Sequence, residues 1–471
     1  MGLKIINMKF SALRNDFFMR SDFDYFEIKR DLSIDNSTKL KRYLTFLETG
    51  KPITPEDYEE ESDNVHIVVR NIVDGKFDKT SLIYISDEKS EELKKYRVQK
   101  GDIVIAISSN CGFSFLYSGN DDKNFTLSHY LARFRVNEKL VNPFFLNYYI
   151  NSNPIKRYFR SVETGKTLKN LSKYYIKEMP VQIPEKIIQD QIVSQIEPIE
   201  QKIKELKSQI KPTQEIINNV FAQKFGFDIE NADIKKKQLI HYASLVDFAN
   251  EELKFDISLK YRYIFLNYIK KVSRIEWIEL GKLLEVKGGK RLPKGQNVTE
   301  EETDYKYVRV DDLSWSGVFD LENIKYISEE NHKIIRNYIA QENDILLTIV
   351  GATVGKCGLV PIELDGENIT ENFARLIIND KEEYLPEYVN YCLQSKTSVF
   401  QIDEYKGRSS QGKLALFRVK KIKIPKIPKT QQQQIVNEIK AELGEQEKIK
   451  KEIVEERKKI DETIENCIHT F

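Results

Sequence analysis

Loops that combine glycine with serine, threonine, lysine or arginine recur along this chain, and they carry the residue types most suited to chemistry. Their hydroxyl, amide and cationic groups can donate hydrogen bonds to phosphate oxygens or base edges, and glycine allows a close backbone approach. For each residue alone, an ordinary solvated loop is the alternative. The candidate contacts are Lys51, Arg70, Asn71, Ser108, Ser109, Asn110, Lys166, Thr167, Lys169, Asn170, Lys290, Arg291, Arg408, Ser409, Ser410, Gln411 and Lys413.

Two other motifs resemble catalytic signatures but fail in detail. The stretch from Gly351 to Cys357 has three residues between its first two glycines where a phosphate-binding P-loop has four, and Cys357 stands where Ser or Thr would hold magnesium. A tight turn after a buried strand is the better interpretation. Asn142-Pro143-Phe144-Phe145 resembles an amino-methyltransferase motif but lacks its second proline. We interpret it as the capped start of a helix.

No metal site or catalytic cluster is predicted. The five histidines are scattered without ligand spacing, and the four cysteines form no C-x-x-C pair. Free thiols are typical of a reducing compartment. There is no apolar run of membrane-spanning length and no recognisable signal segment, so the expected location is the cytoplasm, with no membrane partner.

The two halves of the chain repeat one pattern. Asp102-Ile103 and an apolar run recur 242 residues later as Asp344-Ile345, and Ala132-Arg133 recurs at the same offset as Ala374-Arg375. Gly75-Lys76-Phe77-Asp78 and Gly317-Val318-Phe319-Asp320 share this offset too. A constant offset across such ordinary residues indicates a duplicated unit. Each copy reads as mixed α and β, with short buried strands, a helix that begins near proline, and polar loops.

Each copy ends in a long amphipathic segment. Residues 184–222 carry isoleucine and leucine at steps of three and four, which predicts a helical rod of roughly 58 Å. Pro198 and Pro212 are expected to bend or interrupt it. Residues 430–466 show a similar seam, and Thr430 with Gln433 predicts a capping box. The two rods either pair with each other and separate two globular bodies, or each packs on its own domain.

The net charge is only +1, from 74 basic and 73 acidic residues, so it does not by itself indicate nucleic acid. The two rods are mildly acidic and the remainder is mildly basic. This distribution weakly favours polyanion binding through the globular parts. With 471 residues, the chain is long enough for two or three domains.

The ordered duplication resembles the DNA specificity subunit of type I restriction–modification systems over nearly the whole chain. The features that match are the strand starts at Asp102 and Asp344, the Arg133 and Arg375 strands, the glycine–lysine loops, and Gln-Ile-Val at the start of each rod. Asn343 stands where the family usually has glycine. No single motif is specific to the family. The order of these features, which occurs once in each half of the chain, is specific to it.

The resemblance implies an α+β fold: two repeated target recognition domains separated by two long helices that pair as an antiparallel coiled coil with pseudo-two-fold symmetry. The expected recognition domains are residues 1–183 and 224–429, and the expected spacer helices are 184–223 and 430–471. Each domain would read half of a bipartite site in double-stranded DNA. The helices would set the spacer between the halves and dock the partner subunits.

Those partners would be two methyltransferase subunits, which carry S-adenosylmethionine and methylate adenine, and often two restriction subunits. The specificity subunit itself would be non-catalytic and hold no cofactor. A type II-like or methylation-only system stays open, because Arg20-Ser21-Asp22, echoed by Lys254-Phe255-Asp256, also occurs in relatives that act with fused nuclease–methyltransferases. A coiled-coil scaffold without DNA contact and a complete enzyme are the remaining alternatives.

Overall fold

The computed structural model describes residues 37–119, 121–165, 169–226, 275–406 and 412–470. The chain forms two compact units, which we call the first unit (Met1–Ser208 with Lys450–Phe471) and the second unit (Gln209–Ile449). The stretches Arg20-Ser21-Asp22 and Lys254-Phe255-Asp256 lie outside the described residues. Within the described ranges, no helix is long and apolar enough to cross a membrane.

The first unit mixes short strands with helices. Its strands are β1 (Thr38–Lys39), β2 (Leu44–Thr49), β3 (Tyr58–Glu59), β4 (Asn64–Ile67), β5 (Ile72–Val73), β6 (Lys76–Phe77), β7 (Tyr84–Ile85), β8 (Ile103–Ala106), β9 (Ser114–Leu116), β10 (Asn124–Leu127), β11 (Leu131–Val136) and β12 (Pro180–Val181). Its helices are α1 (Asp87–Glu92), α2 (Pro143–Asn151), α3 (Asn153–Val162), α4 (Lys173–Lys177) and α5 (Lys186–Ser208).

The second unit contains the same types of element in a similar order. Its strands are β13 (Trp277–Glu279), β14 (Leu284–Gly288), β15 (Lys306–Val308), β16 (Lys325–Tyr326), β17 (Ile345–Thr348), β18 (Cys357–Leu359), β19 (Asn368–Ile369), β20 (Phe373–Ile378) and β21 (Lys423–Pro425). Its helices are α6 (Thr213–Phe225), α7 (Leu280–Leu283), α8 (Glu329–Ile335), α9 (Pro386–Gln394), α10 (Lys396–Tyr405), α11 (Leu416–Val419) and the first part of α12 (Lys429–Thr470).

One antiparallel four-stranded sheet is central to each unit. The strand order is β2-β11-β8-β9 in the first unit and β14-β20-β17-β18 in the second. The register repeats as well, since Arg133 lies opposite Val104 and Arg375 lies opposite Leu346. The strands that sequence analysis predicted from the apolar runs, β8 and β17, are buried at every position because both of their faces are covered. The predicted duplication and mixed α and β content are therefore confirmed.

A buried ion pair links the two middle strands of each sheet. Asp102, which has no exposed side-chain surface, accepts hydrogen bonds from Arg133 Nη1 at 2.8 Å and from Arg135 Nε at 2.5 Å. Arg133 also donates to the carbonyls of Arg97 and Lys95. Arg133 Nη2 also lies 3.3 Å from Glu48 Oε2, so two carboxylates balance the two arginines, as burial requires.

The second unit repeats the arrangement. Arg375 Nε lies 2.5 Å from Asp344 Oδ2, and Arg375 Nη1 donates to the Ile339 carbonyl at 2.7 Å. The turn before each aspartate places one residue in the left-handed region, Gly101 at φ 86° and Asn343 at φ 67°. Asparagine tolerates this conformation better than most residues, so it can stand where the first copy has glycine.

The two suspected catalytic motifs have structural roles. The side-chain oxygen of Asn142 accepts hydrogen bonds from Phe144 N and Phe145 N and so caps α2. Residues 349–356 connect the antiparallel strands β17 and β18, with Gly351 and Gly355 both at positive φ. Lys356 Nζ donates to the Leu313 carbonyl. Helix capping and a tight turn, the interpretations favoured from sequence, are confirmed.

The first long amphipathic segment, predicted over residues 184–222, forms two helices. Helix α5 ends at Ser208, and Pro212 is the N-cap residue of α6. The predicted interruption at Pro212 is therefore correct. Pro198, however, lies inside α5, so the helix continues there. Burial of Ile196 and Ile203 on either side stabilises the helix across the missing backbone hydrogen bond.

A buried glutamine attaches the start of each long helix to the loops and helices that precede it in the same unit. Gln189 Nε2 donates to the carbonyls of Leu140 and Pro184, while its Oε1 accepts from Asn142 N at 2.7 Å. Gln432 makes the same set of bonds with Glu383, Ile427 and Leu385 in the second unit.

The predicted capping box at Thr430 is wrong. Helix α12 already begins at Lys429, and its early backbone donors bind the Pro428 carbonyl. Gln433 instead donates to Asn437, one turn further along the helix. Tertiary anchoring by Gln432 fixes the start of the helix, where local sequence had suggested a cap.

Each unit contains contacts between two long helical segments. In the first unit, Lys202 of α5 lies 2.7 Å from Glu452 and 2.8 Å from Glu456 of α12. In the second unit, Lys224 of α6 lies 2.5 Å from Glu438 of α12. Apolar residues of these segments join the core of their own unit, as Ile196 and Ile464 do in the first.

We predict that Asp102→Asn lowers the free energy of unfolding by about 3–5 kcal/mol, because it removes the buried carboxylate shared by Arg133 and Arg135 and leaves Arg133 with only the more distant Glu48. Asp63→Asn is the matched control, since the Asp63 side chain is 88% exposed and should contribute no more than about 0.5 kcal/mol. Denaturant titration of both variants measures the difference. Equal stability of the two would contradict the structural importance of the pair.

A second prediction concerns Asp74, whose carboxylate contacts Lys207 of α5 and Arg457 of α12. Burial opposes its charged form, but hydrogen bonds from Arg457 and Lys207 outweigh this and lower the pKa of Asp74. A lowered folded-state pKa stabilises the fold above pH of about 4 and stops doing so as the pH falls through the lowered value.

Asp74→Asn should therefore reduce the melting temperature modestly at pH 7, and the gap from wild type should close as the pH falls below about 4. Asparagine keeps the positive φ of 55° accessible, so the substitution tests the charge alone. A gap of constant size down to the acid limit would show that the charge is not responsible.

Candidate nucleic-acid interface

The candidate residues of the first unit converge on one edge of its central sheet. Strand β11 is antiparallel to both β2 and β8, so the ends of β2 at Thr49 and β8 at Ala106 lie beside the start of β11. The Lys51 loop follows β2, and the loop from Ser108 to Asn110 follows β8. These two loops, distant in sequence, therefore leave the same edge.

A third loop joins them through backbone pairing. Ser109 N donates to the Lys169 carbonyl at 3.0 Å, and Ser108 forms a β-bridge with Asn170. Ser109 adopts a positive φ of 63°, which bends the chain at this point. The structure thus brings together Ser108, Ser109, Lys169 and Asn170, which the sequence had proposed only as separate loops.

The second unit repeats this edge. Strand β14 ends at Gly288 and β17 at Thr348, next to the start of β20. Lys290 and Arg291 follow β14. Gly351 N donates to the Gly412 carbonyl at 3.1 Å, and Val350 forms a bridge with Lys413. The loop pairing is the same as in the first unit, although the side chains differ.

Most of the candidate side chains that the structure describes are exposed. Two of the cations contact neighbouring carboxylates: Arg291 lies 2.5 Å from Glu371, and Lys169 lies 3.4 Å from Glu163. These contacts are at the surface and would cost little to exchange for a phosphate. The exposed candidates are Lys51, Arg70, Ser109, Asn110, Lys169, Asn170, Lys290, Arg291 and Lys413.

Two candidates, Asn71 and Ser108, are buried and hydrogen-bonded to backbone groups. Asn71 accepts from Val68 N and donates to the carbonyls of Asp78 and Ser81. Asp312 caps the equivalent turn in the second unit through Arg309 N, which indicates that this position is structural in both copies. Ser108, 2% exposed, donates to the Lys169 carbonyl. In this conformation both side chains stabilise the loops and do not face solvent.

Lys166, Thr167, Arg408, Ser409, Ser410 and Gln411 lie outside the described residues.

Each sheet edge also carries a lysine–tyrosine contact that the sequence analysis missed. Lys51 Nζ lies 5.4 Å from the centre of the Tyr96 ring, and Lys290 Nζ lies 5.6 Å from that of Tyr338. Both distances are typical of a cation–π interaction. Tyr96 and Tyr338 are separated by the same 242 residues as the other repeated positions, which is a signal that could have identified them.

Two buried titratable side chains near the first edge, His66 and Cys111, are uncharged at neutral pH. Burial lowers the pKa of His66 to about 4, and His66 Nδ1 lies 3.0 Å from Thr126 Oγ1. Burial also raises the pKa of the Cys111 thiol to about 11. Among the described residues, no group of three or more His, Cys, Asp or Glu side chains could hold a metal ion.

A family model for the type I restriction modification DNA specificity domain matches residues 46–213 and again residues 273–456. The chain belongs to this family. The two matches contain the two sheet edges, so each specificity domain presents one. A search of curated proteins found no match.

Solved structures similar to the chain come from type I systems. The S subunit from M. genitalium is 16% identical, with 92% of this chain and 95% of that one covered and a TM-score of 0.39. The HsdS subunit from Thermoanaerobacter tengcongensis is 13% identical, with 92% and 96% covered and a TM-score of 0.31. These scores are too low to add to the family assignment.

Arg70 is exposed and its neighbour Asn71 is buried, so substitutions at the two positions should have different effects on stability and DNA binding. Asn71→Ala removes three buried hydrogen bonds and should lower the free energy of unfolding by about 1–3 kcal/mol. Arg70→Ala, at an exposed position, should leave stability within about 0.5 kcal/mol and weaken DNA binding. Thermal unfolding and DNA titration of both variants test this. A strong loss of stability in Arg70→Ala would contradict the interpretation that Arg70 contacts DNA and has no structural role.

Proposed function

We propose that the chain is the non-catalytic DNA-binding subunit of a type I restriction–modification complex, in which each specificity domain reads one half of a bipartite site. The observation that supports this most directly is the repeated sheet edge, with an exposed lysine, Lys51 or Lys290, after the equivalent strand in both domains and further exposed polar or cationic side chains beside it. Such groups suit phosphate and base contacts in the major groove. The two edges differ in their other side chains, as expected if the half-sites differ.

The proposed division of the chain assigns residues 1–183 and 224–429 to the recognition domains, and 184–223 and 430–471 to the spacer helices. In this proposal the helical segments pair as an antiparallel coiled coil with pseudo-two-fold symmetry. The ion pairs from Lys202 to Glu452 and from Lys224 to Glu438 support antiparallel pairing. Lys202 comes before Lys224 in the chain, whereas its partner Glu452 comes after Glu438, so the two segments run in opposite directions. Coiled coils of fixed length can set a spacer.

The proposed partners are two methyltransferase subunits and, in a complete system, two restriction subunits. The methyltransferase subunits would supply S-adenosylmethionine, and this chain would contribute no cofactor. One solved relative comes from work on complex assembly and conformational transition of the type I system. For this chain, we expect the exposed faces of the long helices to provide the docking surface.

Co-purification with the methyltransferase encoded beside this chain, followed by sequencing of methylated bases on the host DNA, tests the proposal. The expected result is a split motif with a fixed gap that disappears when this chain is deleted. Methylation that is unchanged by the deletion would exclude the proposal and favour the scaffold alternative.

The same assay tests the spacer. Inserting seven helix-forming residues after Lys202 in α5 and after Glu452 in α12, at an existing ion pair, adds about 10 Å. Because base pairs rise about 3.4 Å each, the recognised gap should lengthen by about three base pairs with unchanged half-sites. A control with seven residues replaced but none inserted should keep the original gap. An unaltered gap in the insertion variant would exclude the ruler.

A further inference from the structure

The lysine at each sheet edge occupies a fixed backbone position. Lys51 N donates to the Leu127 carbonyl at 2.8 Å, and Lys290 N donates to the Ile369 carbonyl at 3.0 Å. The residue before each lysine is glycine, and a Cβ atom at Gly50 or Gly289 would lie 2.1 Å from a backbone oxygen. Only glycine allows this approach. The main chain is therefore held at the strand end, and the ammonium group is the donor that remains.

A tyrosine ring holds each ammonium group. Tyr96 and Tyr338 belong to the short segments that lead to Asp102 and Asp344, and these segments are fixed by the buried arginines. Arg133 donates to the carbonyls on either side of Tyr96, at Lys95 and Arg97. Arg375 donates to the Ile339 carbonyl, next to Tyr338. The position of each ring thus depends on the ion pair in the sheet.

Neither lysine is neutralised within the described part of the chain. Lys51 and Lys290 form no ion pair there, in contrast to Arg291 and Lys169 at the same edges. An ammonium group over an aromatic face is attracted to the ring and so held in a defined position. It is therefore free to bind an anion without first breaking a salt bridge.

The lysine–tyrosine contact is shared by two domains whose other edge residues differ. Ser108 and Ser109 of the first edge correspond to Val350 and Gly351 of the second, and exposed Arg70 corresponds to Asp311. Residues that read different half-sites should differ, whereas a contact common to both must be to something that both half-sites contain. The DNA backbone is that common feature, and lysine binds phosphate as a point charge.

We propose that Lys51 and Lys290 bind equivalent backbone phosphates in the two half-sites, and that Tyr96 and Tyr338 position them. This inference rests on the proposed function, since it assigns a role within the same DNA interface. The two lysines set the position of each domain on the duplex without contributing to sequence preference.

The test uses the complex of this chain with its methyltransferase subunits and a duplex that carries the mapped site. The variants are Lys51→Ala, Lys290→Ala and the double variant. The matched controls are Lys41→Ala and Lys282→Ala, because these exposed lysines lie at the opposite ends of β2 and β14. Binding is measured from about 50 to 200 mM salt.

Each single variant should reduce the slope of log affinity against log salt by about 0.9, and the double variant by about twice that, while the methylated motif stays the same. The controls should keep the wild-type slope. Tyr96→Phe, which retains the ring, should keep the wild-type salt slope. Tyr96→Leu, which removes the ring, should reduce the salt slope, but by less than Lys51→Ala does.

A scan with single uncharged methylphosphonate linkages locates the contacts. The linkage that weakens wild-type binding in the first half-site should have no further effect on Lys51→Ala, and the equivalent linkage in the second half-site should have none on Lys290→Ala. An unchanged salt slope, or a lost preference at one base pair, would overturn the phosphate assignment. Absence of specific binding by the wild-type complex would instead overturn the proposed function.

Discussion

A carboxylate removed from water is tolerated only when cations and hydrogen-bond donors surround it, and this constraint organises both units of the chain. Asp102 and Asp344 lie at the start of the central strands β8 and β17, and each is bonded to an arginine on the neighbouring strand. Because the arginines also bind carbonyls of the segment before each aspartate, one polar cluster fixes two neighbouring strands and the segment that leads into the first of them.

The cluster also determines what the sheet edge presents. It holds the backbone beside Tyr96 and Tyr338, and these rings hold the lysines that follow the glycines at the ends of β2 and β14. The exposed loops can vary in sequence because their backbones pair with each other, as Ser108 does with Asn170 and Val350 with Lys413. A rigid frame with variable loops is the usual way in which one fold serves different binding targets.

The long helices are also attached through buried polar groups whose hydrogen-bonding atoms all have partners. Gln189 and Gln432 each use both ends of their amide to bind backbone groups of the recognition region. A buried amide with all its partners fixes both the position and the rotation of the helix that carries it, and it does so more specifically than an apolar contact. In the first unit, Asp74 adds a second attachment through Lys207 and Arg457.

The sequence by itself determined the duplication, the buried strands, the proline-started helices and the break at Pro212, because each depends on residues close together or on a constant offset between copies. It also identified the family, through the order of these features. The tertiary structure decided which of the candidate polar residues are exposed and can contact DNA. Asn71 and Ser108 belong to loops that fit the pattern of a binding site, yet contacts made by the folded chain bury both.

Only the fold revealed the other decisive residues. Gln432, rather than Thr430, fixes the start of α12, because its partners lie 47 and 49 residues earlier in the chain. Tyr96 meets Lys51 across 45 residues, and Arg457 meets Asp74 across 383. Patterns of local spacing cannot report such contacts, since they arise from strand pairing and helix packing that bring distant segments together.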